Sequence, residues 1–141
     1  MTNFHIDILT LDREIFSGEA KSVTLPGVEG VLTVLAKHMA LVTPLIAGEV
    51  IYKDADNKET VLSIGKGVFS TDGKVAHLLV EDASYASEIS EEKALEARRR
   101  AEELIKQGVS KEEKEAAFYQ YRKSLVDIRV ARKLKRREPF H

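Results

Sequence analysis

The stretch VFSTDGKVAHLLV, residues 68–80, is typical of a β-hairpin. Its two apolar runs are separated by Asp72-Gly73, which favours a type I′ turn because that turn needs a positive φ at both central residues. Similar short apolar runs recur from Phe4 to about Ala83, several alternating with period two, and turn residues break them. The pattern therefore predicts an all-β body, a sandwich or a barrel.

After Ser87 the composition changes to Ala, Glu, Lys, Arg and Leu, which are strong helix formers. Ser90 is predicted to cap a first helix, and Gly108 is predicted to end it. A capping box at Ser110–Glu113 then opens a second helix that should run to about Lys135. Because so short a connection joins them, the two helices should be antiparallel neighbours.

These patterns predict two domains, a β-sandwich over residues 1–86 and a helical hairpin over residues 87–141. The small side chains of the first helix leave this hairpin a thin core. The second helix should bury one face, formed by Ala117, Tyr121, Leu125, Ile128 and Ala131.

Charge is distributed unevenly along a chain whose net charge is only -1. Residues 1–87 hold 7 basic and 12 acidic side chains, residues 88–119 hold 7 and 9, and residues 120–141 hold 8 and 2. The end of the second helix should therefore attract an anionic surface. A solvated helix face, with cations at the negative end of the helix dipole, is the alternative structural interpretation.

The sequence offers little for catalysis or metal binding. It has no cysteine, and its four histidines show no metal-ligand spacing. The segment Gly65–Ser70 lacks the pattern of a phosphate-binding loop. We find no apolar run long enough to cross a bilayer and no signal peptide, so we expect the chain to stay in the compartment where it is made.

Motifs along the whole chain resemble the epsilon subunit of bacterial and chloroplast F-type ATP synthases. The matching segments of the β-body are Phe16–Gly18, Val23, Pro26–Gly30, His38, Leu41–Thr43, Gly48, Gly67 and Leu79–Ala83. Those of the helices are Ala97–Glu102 and Ile128–Val130. No single motif decides the matter, but their order over about 130 residues is highly specific.

The resemblance implies a sandwich of about ten strands plus two helices, in a rotor subunit without a catalytic site or cofactor. The sandwich would bind the gamma subunit and the ring of c subunits through Gly27, Glu29, Gly30 and His38. Basic side chains of the helices would contact an acidic loop of the catalytic beta subunit, or gamma, and inhibit ATP hydrolysis. The candidate cations are Arg98, Arg99, Arg100, Arg122, Lys123, Arg129, Arg132, Lys133 and Arg136.

Some bacterial members of this family bind ATP at the hairpin through Ile/Leu-Asp-x-x-Arg-Ala. Here the matching residues are Ile89, Ser90, Lys93 and Ala94. Serine replaces the aspartate, and lysine cannot give the planar bidentate contact of arginine. Asp127 also stands where those members carry an arginine in the second helix. We therefore predict weak or absent ATP binding, measurable by calorimetry.

The resemblance places the chain at the cytoplasmic face of the bacterial plasma membrane, as a peripheral subunit, rather than at the stromal face of the thylakoid. Contact with the membrane would be indirect, and no nucleic acid would be bound. The alternative function is a free-standing β-sandwich module whose basic hairpin contacts nucleic acid or anionic membrane. Salt-dependent retention on DNA or vesicles would favour that alternative.

Overall fold

A computed structural model describes residues 3–38 and 40–137, with the side chains of 136 and 137 left out. Within these residues nine strands are followed by two helices, which confirms the predicted fold class. The strands are β1 (Phe4–Leu9), β2 (Glu14–Gly27), β3 (Gly30–Leu35), β4 (Leu41–Leu45), β5 (Gly48–Asp54), β6 (Glu59–Ile64), β7 (Gly67–Thr71), β8 (Val75–Val80) and β9 (Ala83–Tyr85). The helices are α1 (Glu91–Lys106) and α2 (Lys111–Arg137).

The chain divides into two compact units between Tyr85 and Ala86. We call them the sandwich unit and the hairpin unit. The sequence analysis predicted this boundary one residue later, between residues 86 and 87. Neither described helix is long and apolar enough to cross a membrane.

The long strand β2 belongs to both layers of the sandwich. Its residues up to Ala20 pair with β1, whereas Ser22–Gly27 pairs with β3 along one edge and its first residues, up to Thr24, pair with β5 along the other. The register shifts between Ala20 and Ser22, and such an irregularity bends a strand. One layer continues from β1 through β8 and β7 to β4, and the other from β5 through β6 to β9.

The core of the sandwich unit follows from period-two alternation. In β1, Phe4, Ile6 and Ile8 are buried, while His5 and Asp7 point outward. The same alternation in the other strands supplies the rest of the core. Its other fully buried large side chains are Val23, Leu25, Val34, Val50, Leu62, Ile64, Phe69, Leu78 and Val80.

The hairpin predicted at residues 68–80 forms, because β7 and β8 pair antiparallel. Its turn is not type I′, however. Gly73 has a φ of +97°, but Asp72 is not among the described residues with a positive φ. The carboxylate of Asp72 instead accepts hydrogen bonds from the backbone N–H groups of Lys74 and Val75, at 2.8 and 2.9 Å. Those side-chain bonds stabilise a longer loop, which explains the wrong prediction.

Both predicted serine caps form, but the described residues show no return bond from the Glu113 side chain to the Ser110 N–H, so the predicted capping box is only half made. The Ser90 hydroxyl accepts a hydrogen bond from the Lys93 N–H, and the Ser110 hydroxyl accepts one from the Glu113 N–H, each at 3.2 Å. Gly108, just beyond α1, has a φ of +68°, which an L side chain rarely adopts. These local signals therefore fix where α1 and α2 begin and where α1 ends.

The buried face of α2 differs from the prediction at one position. Ala117, Ile128 and Ala131 are buried and Tyr121 is half-buried, but Leu125 is 38% exposed. Ser124 is buried in its place, and its hydroxyl donates to the Tyr121 carbonyl at 2.7 Å. At about 100° per residue, Leu125 lies about 80° around the helix from the buried Ala117, whereas Ser124 lies only about 20° from it.

Candidate protein-interaction surfaces

Two of the three predicted cations of α1 are paired within α1. Arg98 lies 3.6 Å from Glu102, and Arg99 lies 2.8 Å from Glu103, each one helical turn further on. Such exposed pairs stabilise a helix by only about 0.3–0.5 kcal/mol each. They nevertheless leave Arg98 and Arg99 less available to a partner than a count of basic residues suggests.

Three of the predicted cations of α2 are engaged within the chain. Lys123 is buried, and its Nζ lies 2.8 Å from the Asp127 carboxylate. Arg132 lies 3.3 Å from Glu91, the first residue of α1. Lys133 is half-buried and has an interaction of its own. The predicted Arg136 lies outside the described side chains.

A third group of cations remains available for binding. Arg100, Arg122 and Arg129 are exposed and make no hydrogen bond or ion pair within the described part of the chain. Arg122 and Arg129 share one face of α2 with two exposed apolar side chains, Phe118 and Leu125. We call Phe118, Arg122, Leu125 and Arg129 the basic stripe. At about 100° per residue these four positions span about 60° of the helix circumference.

The apolar members of the basic stripe were missed by sequence reasoning. Phe118 and Leu125 stand seven residues apart, and that spacing is the signal that could have identified them. Exposed apolar residues between unpaired arginines suit an acidic protein surface that also offers apolar contacts. The stripe is therefore better matched to a protein than to a simple polyanion.

The residues of the altered ATP motif have structural partners. Ser90 caps α1, and Ala94 is buried. Ile89 is half-buried, while Lys93 is exposed. In the second helix, the Asp127 carboxylate already accepts a charged hydrogen bond from Lys123.

The tight turn between β2 and β3 presents Glu29 to solvent. Gly27 and Gly30 are paired in the sheet, so Val28 and Glu29 form the tip. Gly30 has a φ of +133°, and a Cβ on Gly27 would lie 2.8 Å from the Gly30 carbonyl oxygen. The two predicted glycines are thus needed for the backbone of the turn, and Glu29 is the side chain that a partner can reach.

His38 lies beyond the opposite end of β3 from Glu29. Its backbone N–H donates to the Leu35 carbonyl at 3.2 Å, and its own carbonyl passes close to Gly73. The six residues of β3 separate the two ends by about 20 Å, at about 3.3 Å per residue. The structure therefore does not bring His38 together with Glu29 in one small site.

An apolar surface that the sequence analysis missed covers β4, β7 and β8. Val68 of β7 pairs directly with Pro44 of β4 and with Leu79 of β8. An open cavity of about 410 Å³ lies here, and the Lys66–Glu81 ion pair of 3.7 Å borders it. We call this surface the apolar sheet face, formed by Leu11, Val42, Pro44, Val68 and Leu79, all exposed. The sequence feature that could have identified this surface is the presence of apolar residues on both faces of these strands.

A polar network lies on the outer surface of β1, β2 and β8. The Ser17 hydroxyl donates to Asp7 at 2.6 Å, and this bond, followed by the neighbouring His5, lowers the pKa of Asp7 below its ordinary value. His77 lies 3.5 Å from the other oxygen of Asp7. In the described residues no group of histidine and carboxylate side chains is arranged to hold a metal ion.

Comparisons with known proteins agree with this architecture. Residues 3–86 match the family model described as the ATP synthase delta/epsilon chain, beta-sandwich domain. The ATP synthase epsilon chain of Dichelobacter nodosus is 37% identical over 105 residues, which cover 74% of this chain and 73% of that protein. That of Alkalilimnicola ehrlichii is 28% identical over 137 residues, which cover 97% and 98%.

Two solved structures share the fold. One is the mitochondrial ATP synthase of Euglena gracilis with OSCP, F1 and c-ring, at a TM-score of 0.71 and 19% identity, covering 96% of this chain and 81% of that chain. The other is the central stalk and c-ring of the Tetrahymena thermophila mitochondrial ATP synthase, at a TM-score of 0.63 and 16% identity, covering 92% and 97%. From the sandwich model and the bacterial relatives together, the chain belongs to the ATP synthase epsilon chain family.

Proposed function

We propose that this chain is a non-catalytic central-stalk subunit of an F-type ATP synthase, which couples the catalytic head to the ion-translocating c-ring. The observation that carries the proposal is the apolar sheet face, on a domain whose family is that of epsilon chains. Contiguous exposed apolar surface of this kind marks a protein interface. The central stalk and c-ring named for the Tetrahymena structure support the same position.

The apolar sheet face continues towards the Glu29 turn. The Val28 N–H donates to the Pro44 carbonyl at 3.3 Å, and the Ile46 N–H donates to the Pro26 carbonyl at 3.0 Å. Val28 and Ile46 are themselves exposed. We infer that the apolar sheet face binds the gamma subunit while the carboxylate of Glu29 contacts the c-ring. The membrane contact would then be indirect, at the cytoplasmic face.

This assignment is tested by whether ATP synthase subunits co-purify with this chain at high salt. Replacing Val68 and Leu79 together with Glu should abolish co-purification, because the charges would be buried without partners in the interface. Leu35→Glu is the matched control, since Leu35 is 57% exposed but lies on β3. The proposal would be contradicted if the double variant co-purified with these subunits as well as the parent chain does. It would also be contradicted if the parent chain bound DNA or anionic vesicles but did not co-purify with ATP synthase subunits.

We also propose that the basic stripe inhibits ATP hydrolysis by binding an acidic loop of the catalytic beta subunit. Support comes from Arg122 and Arg129, which have no ion-pair partner in the described residues. Each exposed ion pair contributes only about 0.2–1 kcal/mol, so several contacts must act together. The apolar side chains of Phe118 and Leu125 would add buried area to those contacts.

The corresponding experiment measures ATP hydrolysis by the assembled complex. Arg122→Ala with Arg129→Ala should raise hydrolysis, and adding Arg132→Ala and Lys133→Ala should raise it further. Arg98→Ala with Arg99→Ala is the matched control, because these cations are paired within α1. Equal hydrolysis by the stripe variant and its control would rule out the inhibitory role and leave the coupling role in place.

A further inference from the structure

The polar network around Asp7 lies on the same outer surface as the apolar sheet face. His77 and Leu79 are both exposed in β8, where buried and exposed residues alternate. His77 pairs with Asp7 of β1, and Leu79 pairs with Leu9, two residues further along each strand. The polar and apolar rows are therefore only about 7 Å apart, at about 3.3 Å per residue. Because a protein interface extends much further than that, a partner that covers the apolar row also covers the polar one.

Histidine and carboxylate side chains supply the charges of the polar row. We call His5, Asp7, Ser17, Glu19 and His77 the Asp7 network. The Nε2 of His5 lies 3.0 Å from Asp7, and its Nδ1 lies 3.9 Å from Glu19. The Nδ1 of His77 lies 3.5 Å from the second oxygen of Asp7. With both histidines neutral the two carboxylates are uncompensated, whereas with both histidines protonated the charges of the network balance.

The elements packed around the network contribute one anion and one cation. From β7, the residue opposite His77 is the uncharged Ser70. The Asp72 carboxylate borders the same small cavity, of about 260 Å³, as His77. Hydrogen bonds from the Val75 and Lys74 N–H groups lower the pKa of Asp72, and the charge of Lys74 lowers it further. Among the described residues of this surface, histidine is therefore the side chain that changes its charge between pH 5 and 8.

We propose that the Asp7 network and the apolar sheet face form one docking surface, and that the stalk partner covering this surface is bound together with at least one proton. The inference rests on the proposed coupling function and adds its pH dependence. Covering the network removes Asp7 and Glu19 from water, and a buried charge is costly unless it is paired. A proton on His5 or His77 supplies the pairing charge without any group from the partner.

The direction of the pH dependence follows from this proton uptake. The Ser17 hydrogen bond and then the neighbouring His5 lower the pKa of Asp7, so this carboxylate stays ionised from pH 6 to pH 8. A complex that holds more protons than its separate components binds more tightly as the pH falls, by at most about tenfold per pH unit for each proton. The Kd should therefore fall roughly three- to thirtyfold from pH 8 to pH 6.

Isothermal titration calorimetry of the full chain with ATP synthase stripped of this subunit tests the inference. Titrations in phosphate and in Tris, whose ionisation enthalpies differ, count the protons taken up per complex. We expect an uptake of about 0.5–1.5 protons at pH 7. Binding without proton uptake would overturn the inference and leave the coupling function in place. The absence of binding at every pH would instead contradict the coupling function, and the inference with it.

Variants of the Asp7 network show whether the protons enter this chain or its partner. His5→Gln with His77→Gln should bring the uptake close to zero and give the weaker, high-pH affinity at every pH. Asp7→Asn should also reduce the uptake, because a neutral amide needs no compensating charge. Asp56→Asn is the matched control, since this exposed carboxylate lies in the turn between β5 and β6. If the double histidine variant takes up as many protons as the parent chain, the protons belong to the partner and the inference is overturned.

Discussion

Lys37 occupies a backbone conformation that glycine prefers. Its φ is +66°, and its N–H donates to the Gly73 carbonyl at 3.0 Å. The left-handed region costs a non-glycine residue about 1–2 kcal/mol. A lysine therefore stands at a position of the sandwich unit whose backbone conformation favours glycine.

Lys37→Gly should raise the free energy of unfolding by about 0.5–1 kcal/mol, because relief of strain exceeds the entropy that glycine loses on folding. Urea denaturation of the full chain measures the change. Asn57→Gly is the control: Asn57 has a φ of +65°, but asparagine tolerates this region and should gain less. A loss of stability in Lys37→Gly would show that the lysine side chain makes a compensating contact.

At the scale of elements, local signals predicted most of the fold. Ser90 and Ser110 mark helix starts through bonds to N–H groups three residues further on, and Gly108 marks a helix end through its positive φ, so a short window of sequence contains the cause. The exposure of Leu125 was not predictable in the same way. It depends on how α2 is rotated against α1, and apolar residues occur on more than one side of α2.

The candidate surfaces were predictable to a smaller extent. A count of basic residues identified the cationic end of α2, but ion pairing decides which cations remain available. Arg99 pairs with a residue four positions away, which spacing can suggest. Arg132 pairs with Glu91, 41 residues away, and only the folded hairpin brings them together. The loss of ATP binding through Ser90 and Lys93 remains a prediction.

At the scale of the whole molecule, the two units have separate sources of stability. The sandwich unit has a continuous core that includes Phe69, Leu62 and Ile6, each with essentially no exposure. The hairpin unit buries mainly alanine, valine and isoleucine side chains. A domain of this size with its own core can fold alone. Coupling and inhibition, the two proposed functions, are therefore separable by truncation.

A chain ending at Glu88 should retain the cooperative unfolding of the sandwich unit and should still co-purify with ATP synthase subunits, because the apolar sheet face and the Glu29 turn are intact. ATP hydrolysis by that complex should be at least as high as with the basic-stripe variant, because every cation of the hairpin unit is gone. Far-ultraviolet circular dichroism establishes that the truncated chain is folded before either measurement. A folded truncated chain that fails to co-purify would assign stalk binding to the hairpin unit. If hydrolysis equals that of the complex with the full chain, the hairpin unit does not inhibit, and only the coupling role of the sandwich unit remains.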